Sequence, residues 1–253
     1  MVFSFGLVFY WRQRKSLPGV VILYSFLAYA GAIVLKSVVQ GATAGAVQAA
    51  FGYSSVPDAL YFGAQTAVFE VGLAFWLAST AANRKAISAK EAGGYGVSLA
   101  FWENGVLIGL FTMIDFIGIY YILGAAGSGA ATVYNALVSS EPQLFYGTAQ
   151  ALSLSAYAIL ERVSSLLVHY SWGYLAVASA VSGRKKYFLV AFPMGFIDSL
   201  VVYEGYFGVA AFEGTVFALS LACLAATLYA TRAWRSEAQA EGAAGPTDAE
   251  PPP

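Results

Sequence analysis

Seven apolar runs separated by short polar breaks dominate the 253-residue chain, and they leave little choice of fold. The runs lie near Met1 to Trp11, Leu17 to Val39, Ala59 to Ala82, Ala92 to Leu123, Gln150 to Val181, Tyr187 to Val209 and Glu213 to Thr231. A run of about 20 apolar residues crosses a bilayer as a helix, and in hydrocarbon only elements that satisfy their own backbone hydrogen bonds are stable. The expected fold is therefore all-α: a polytopic membrane protein, a bundle of about seven transmembrane helices. Composition agrees, with 59% apolar and 11% charged residues and a mean hydropathy of +0.66, where soluble domains carry about a quarter charged residues.

The first run is short against the roughly 17 residues a span needs. Its basic cluster, Arg12, Arg14 and Lys15, follows the apolar stretch instead of preceding it, so the run reads as a membrane helix and not a cleaved leader. The fourth and fifth runs exceed the bilayer thickness and are expected to tilt, kink or project. Gly41 to Pro57 and Gly124 to Pro142 connect spans, as surface or re-entrant helices, and Gly105 and Gly109 form a GxxxG suited to a close helix contact. Two regions are expected: a transmembrane helical domain over 1–235 and a disordered, acidic cytoplasmic tail over 236–253.

Of the 13 lysines and arginines, all but Lys36 and Arg162 fall in alternate loops and the tail, while the opposite loops carry Asp58 and Glu141 and no basic residue. Basic residues prefer short cytoplasmic loops. The expected location is the plasma membrane, multi-pass, with the N-terminus outside and the C-terminus in the cytoplasm. A formal net charge of −1 excludes nucleic acid as a partner. The lone cysteine, Cys223, excludes an internal disulfide or a cysteine-based zinc site and reads as packing.

The stretch AILERVSSLLVHYSWGYLAV carries Glu161, Arg162 and the single histidine, His169, inside a membrane-length run. Ionisable groups at the bilayer centre cost at least about 2.5 kcal/mol each, so they face a bundle interior and mark either function or a structural pair. Counted from the basic ends of their spans, Glu70, Glu103, His169 and Asp198 all lie about 11 or 12 residues deep. That is roughly 17 Å, near the midplane of a core about 30 Å thick. Lys36, Asp115, Glu161 and Arg162 lie further from that face and form a second polar tier, in which Glu161 and Arg162 read as an ion-pair element. Three carboxylates and one imidazole suit a divalent ion, zinc or a harder one, or a proton, or a hydrogen-bonded knot that fixes packing.

At these residues the chain resembles the YhfC family, membrane proteins regarded as intramembrane metalloproteases related to the CAAX-protease group. The resemblance covers most of the chain from the second span onward. It rests on LERVSSLLVHYSWGYLAV, on AVFEVGLAF with Phe69 and Glu70, on GYGVSLAFWENG with Gly94, Gly96 and Glu103, and on FPMGFIDSLVVY with Asp198 and Tyr203. The chain departs from the family at Val71, where a second Glu belongs, and at Leu99 and Met194, where histidines belong four residues before Glu103 and Asp198. The resemblance implies a metal-dependent intramembrane peptidase, a hydrolase, with Glu70 as catalytic base and Glu103, His169 and Asp198 as ligands of one metal ion. Leu99 and Met194 would then line the same cavity as vacated ligand positions. Its substrate would be a transmembrane or lipidated protein within the lipid bilayer. Two further readings stand beside it: a non-catalytic protein that binds a transmembrane partner or lipid, and a proton- or cation-coupled carrier.

Overall fold

A computed structural model describes residues 2–125, 127–140, 145–234 and 236. The expected tail over 236–253 therefore lies, beyond its first residue, outside the described residues, as do Glu141, Arg235 and the side chain of Asp115. Among the described residues there are helices and no strand. They are α1 (Val2–Arg14), α2 (Gly19–Phe51), α3 (Val56–Asn83), α4 (Ala89–Tyr121), α5 (Ala130–Ser140), α6 (Thr148–Ser182), α7 (Lys186–Phe207) and α8 (Val209–Ala230). The chain is a polytopic all-α membrane bundle. Six of these helices, all but α1 and α5, are long and apolar enough to cross a membrane. The first, at 13 residues, spans only about 20 Å. Helix α2 runs on to Phe51, so most of the expected connector after Gly41 is a continuation of the span.

Local chemistry sets the boundaries. Pro18 stands at the N-cap of α2, where its missing N–H is no loss. The Ser55 hydroxyl caps α3 by accepting from the Asp58 N–H at 3.2 Å. Ser88 and Glu91 close a capping box at the start of α4. Helix α6 stops at Gly183, which takes a left-handed φ of 69°, open to glycine without a Cβ clash.

Glycines fix which helices touch. In the segment AGGYGVSLA, all nine residues from Ala92 to Ala100 are buried, because small residues admit a neighbour on every side. A Cβ on Gly93 would strike Trp11 of α1, one on Gly94 would strike Leu17, and one on Gly96 would lie 2.6 Å from the Tyr170 carbonyl oxygen of α6. Gly173 returns the contact, with Gly96 Cα 2.6 Å from where its Cβ would stand. On the other side of the bundle Gly195 of α7 meets the Ala67 backbone of α3 at 2.5 Å in the same sense. Gly63 of α3 is seated likewise, against Ser199 and Phe196 of α7. Gly105 of the GxxxG sits against Phe101 of its own helix and Ser4 of α1.

Three helices leave α geometry. Helix α3 widens to π geometry over Thr66–Val71 and α4 over Trp102–Leu110, while α7 tightens to a 3-10 helix over Phe192–Tyr203. Pro193 opens that tight stretch and removes one helical donor. Long 3-10 runs and π turns are uncommon, and they concentrate at hinges and functional sites.

Candidate functional site

The three irregular stretches are the ones that carry three of the acids singled out from the sequence: Glu70 in α3, Glu103 in α4 and Asp198 in α7. Helix α2 adds Lys36, and α6 adds Arg162 and His169. The glycine contacts pair α4 with α6 and α3 with α7, so the acids are delivered to the two sides of one cavity of about 400 Å³.

The side chains form a continuous ladder of alternating charge. Lys36 Nζ donates to Thr66 Oγ1 at 2.6 Å, Glu70 Oε1 at 2.8 Å and Asp198 Oδ2 at 3.0 Å. All three ammonium protons are thereby used. Thr66 Oγ1 donates in turn to Asp198 Oδ2 at 2.6 Å. The other Glu70 oxygen lies 3.4 Å from His169 Nε2, which is 3.0 Å from Glu103 Oε2. Arg162 Nη1 donates to Asn104 Oδ1 at 3.0 Å and reaches Glu103 Oε1 at 3.4 Å, and its second nitrogen pairs with Glu161. Asn104 Nδ2 donates to Ser165 Oγ at 3.1 Å. From Asp198 to Glu161 the order is acid, base, acid, imidazole, acid, base, acid.

His169 is the middle rung. It is 5% exposed, and its ring packs edge-on against Trp172, with centroids 4.4 Å apart. Nδ1 lies 3.0 Å from the Ser165 carbonyl oxygen, a group that only accepts, so this geometry assigns the proton to Nδ1. Nε2 then faces two carboxylates at ion-pair distance without an in-line hydrogen bond to either. A neutral ring would aim a lone pair at two anions. One further proton, on the ring or on a facing carboxyl, removes that repulsion.

Several expectations change here. Lys36 does not belong to a separate outer tier: it is the cation that holds Glu70 to Asp198. The expected divalent metal has no site, since among the described residues no group of three or more His, Cys, Asp or Glu side chains is placed to hold an ion. The donors already face the Lys36 ammonium and the Arg162 guanidinium, which neutralise the charge a metal would need. With the metal goes the metal-binding metalloprotease reading, a metal-dependent hydrolase. Glu70, expected as general base, has each oxygen turned to a cationic or imidazole partner.

Leu99 and Met194 do not line the cavity. Leu99, 2% exposed, packs against Gly173 in the α4–α6 contact. Met194, 6% exposed, belongs to the core because α7 is a 3-10 helix there. At about three residues per turn, positions four apart are rotated by about 120° instead of sharing a face. The residue in register with Asp198 is Gly195, the one seated on α3.

Thr66, Asn104, Tyr29, Glu204 and Glu213 also belong to the site or its rim and were not singled out from the sequence. Thr66 was legible, standing four residues before Glu70. No family model, no curated protein and no solved structure matches the chain. The resemblance to the YhfC family rests on the quoted motifs alone.

Proposed function

We propose that the protein is a proton-coupled membrane carrier, with the charge ladder as its coupling site. The observation that carries the reading is His169: Nδ1 is committed to a carbonyl while Nε2 faces Glu70 and Glu103, so the site is completed by a transferable proton. Two further features support it. The acids sit on π and 3-10 stretches, and departures from regular helix at midplane depth are what carriers use to bind and rearrange. The ladder also runs across two glycine-sealed helix pairs, so a proton gained or lost at His169 alters the attraction between them. A change of one charge at close range in a buried site is large enough to bias two packings of similar energy.

The proposal is tested without knowledge of the substrate. Proteoliposomes adsorbed on a solid-supported membrane and subjected to a pH jump are expected to give a transient charge displacement that is strongly reduced in Glu70→Gln and Glu103→Gln. A current no larger than that of protein-free liposomes would leave the ladder a static packing element and end the reading.

We further propose that the basic ends face the cytoplasm, in the plasma membrane. In a Cys223→Ser background, cysteine at Asn83 or Lys186 is expected to need a permeant reagent, while cysteine at Tyr53 reacts from outside. Reaction of both sets from one side would end that orientation.

A further inference from the structure

Beside Glu161, the last rung of the ladder, the same cavity is lined by two further acids that the ladder does not use. Glu213, in the first two turns of α8, is 5% exposed, and its Oε2 has no hydrogen-bond partner. It lines the cavity together with Glu161 of α6 and Glu204 of α7. The charges that bear on it are those two acids and Arg162. Arg162 is already engaged by Glu103, Asn104 and Glu161. Three helices thus bring three carboxylates to one cavity, and the two cations that line it, Lys36 and Arg162, are both engaged in the ladder.

A buried carboxylate oxygen without a donor is costly, and the missing partner must bring N–H or O–H. A metal ion does not fit, since no qualifying set of ligands exists among the described residues. Phe212, Val216 and Val201 add apolar lining to the cavity. The complement of such a chamber is an organic cation with N–H donors on an apolar body. The whole cavity, ladder included, has a volume of about 400 Å³, within the range of small-molecule sites, roughly 300 to 1,000 Å³.

On the carrier reading above, we propose that the substrate class is a small protonated amine of apolar body, with its ammonium on Glu213 and its body against Phe212 and Val216. Amine and proton then compete: acid conditions neutralise the carboxylates and release the amine, and proton loss restores its site. The coupling is exchange, with no covalent step.

The test uses the purified full chain and benzylammonium as probe. Tetramethylammonium has charge without N–H, and benzyl alcohol has the shape without charge. Calorimetric titration is expected to give saturable benzylammonium binding that weakens as pH falls, with both controls weaker by about tenfold or more. Glu213→Gln should lose about tenfold in affinity while keeping the wild-type circular dichroism and gel-filtration profile. If that variant does not fold, Glu161→Gln with Glu204→Gln should show a loss of the same order. A wild-type pH-jump current without saturable benzylammonium binding would overturn the amine proposal alone. So would binding that the folded variants leave unchanged, or binding matched by benzyl alcohol. Loss of both current and binding would remove the carrier reading with it.

Discussion

Along α2, α4 and α6 the half at the basic loops and the half beyond the ladder are packed very differently, while α3 and α7 stay in contact beyond the ladder through Gly63. In α6 every buried residue lies between Ser164 and Ser179, and none lies in the stretch from Thr148 to Val163. The buried residues of α2 are Val21, Ser25, Ala28, Tyr29 and Ala32, with none after. Helix α4 buries the whole of Ala92 to Ala100, then Asn104 and Gly105, while Phe111, Ile114 and Phe116 are exposed. The ladder sits at the boundary. In one half Gly93, Gly94, Gly96 and Gly173 let backbones meet, whereas Gly118 and Gly124 in the other have nothing within 4 Å. Glycine promotes packing only where a partner helix is brought against it. In lipid, where apolar burial alone does not drive helices together, such van der Waals contact is what holds a bundle.

The contrast can be broken at its strongest point. Gly173→Leu places side-chain atoms where Gly96 Cα and Leu99 Cδ1 already stand, 2.6 and 2.8 Å from the added Cβ, so α4 and α6 must separate. The expected loss is at least about 3 kcal/mol, enough to abolish a stable detergent-purified protein. Gly118→Leu, in the open half, should stay within about 0.5 kcal/mol of wild type. Thermal unfolding followed by tryptophan fluorescence reads both, and equal losses would erase the distinction between the halves.

The next effect is at the boundary. Lys36→Met leaves Glu70 and Asp198 without their ammonium, and an uncompensated buried charge is expected to destabilise by about 3 kcal/mol. Adding Asp198→Asn should restore more than half of that loss, because the second change removes one of the stranded charges. A double variant no better than Lys36→Met would place the stabilisation elsewhere.

Arg162→Met should be milder, about 1 to 2 kcal/mol, since the side chain is 26% exposed and Glu103 keeps His169 as a neighbour. Smallest of all is Glu161→Gln. Its side chain is 47% exposed at the rim, and the pair with Arg162 is expected to change stability by no more than about 0.5 kcal/mol. Denaturation midpoints that put Glu161→Gln level with Lys36→Met would mean that burial does not grade the ladder.

How much of this was legible in the sequence varies by residue. Glu70, Glu103, His169 and Asp198 announced themselves, because an ionisable group inside an apolar run must be excused by something, and their equal depth follows from the rise of a helix. Lys36 was misplaced by the same counting. Depth along the axis put it near the outer boundary, yet a long flexible stem lets its ammonium reach acids at another level. Met194 was misplaced because its expectation assumed an α-helical repeat through FPMGFIDSLVVY, and the 3-10 geometry after Pro193 rotates it away from Asp198.

The sequence by itself determined that the chain is a helical membrane bundle and which of its side chains are too costly to leave against lipid. Both are local properties, summed over a window of residues, and need no knowledge of what packs where. Only the tertiary structure decided the pairing: Lys36 with Asp198, 162 positions apart, and His169 between two acids from different helices. Pairing depends on how each helix is rotated about its axis. That rotation is set by contacts such as Gly96 on Tyr170 and Gly195 on Ala67, and by departures from α geometry that no hydropathy pattern records.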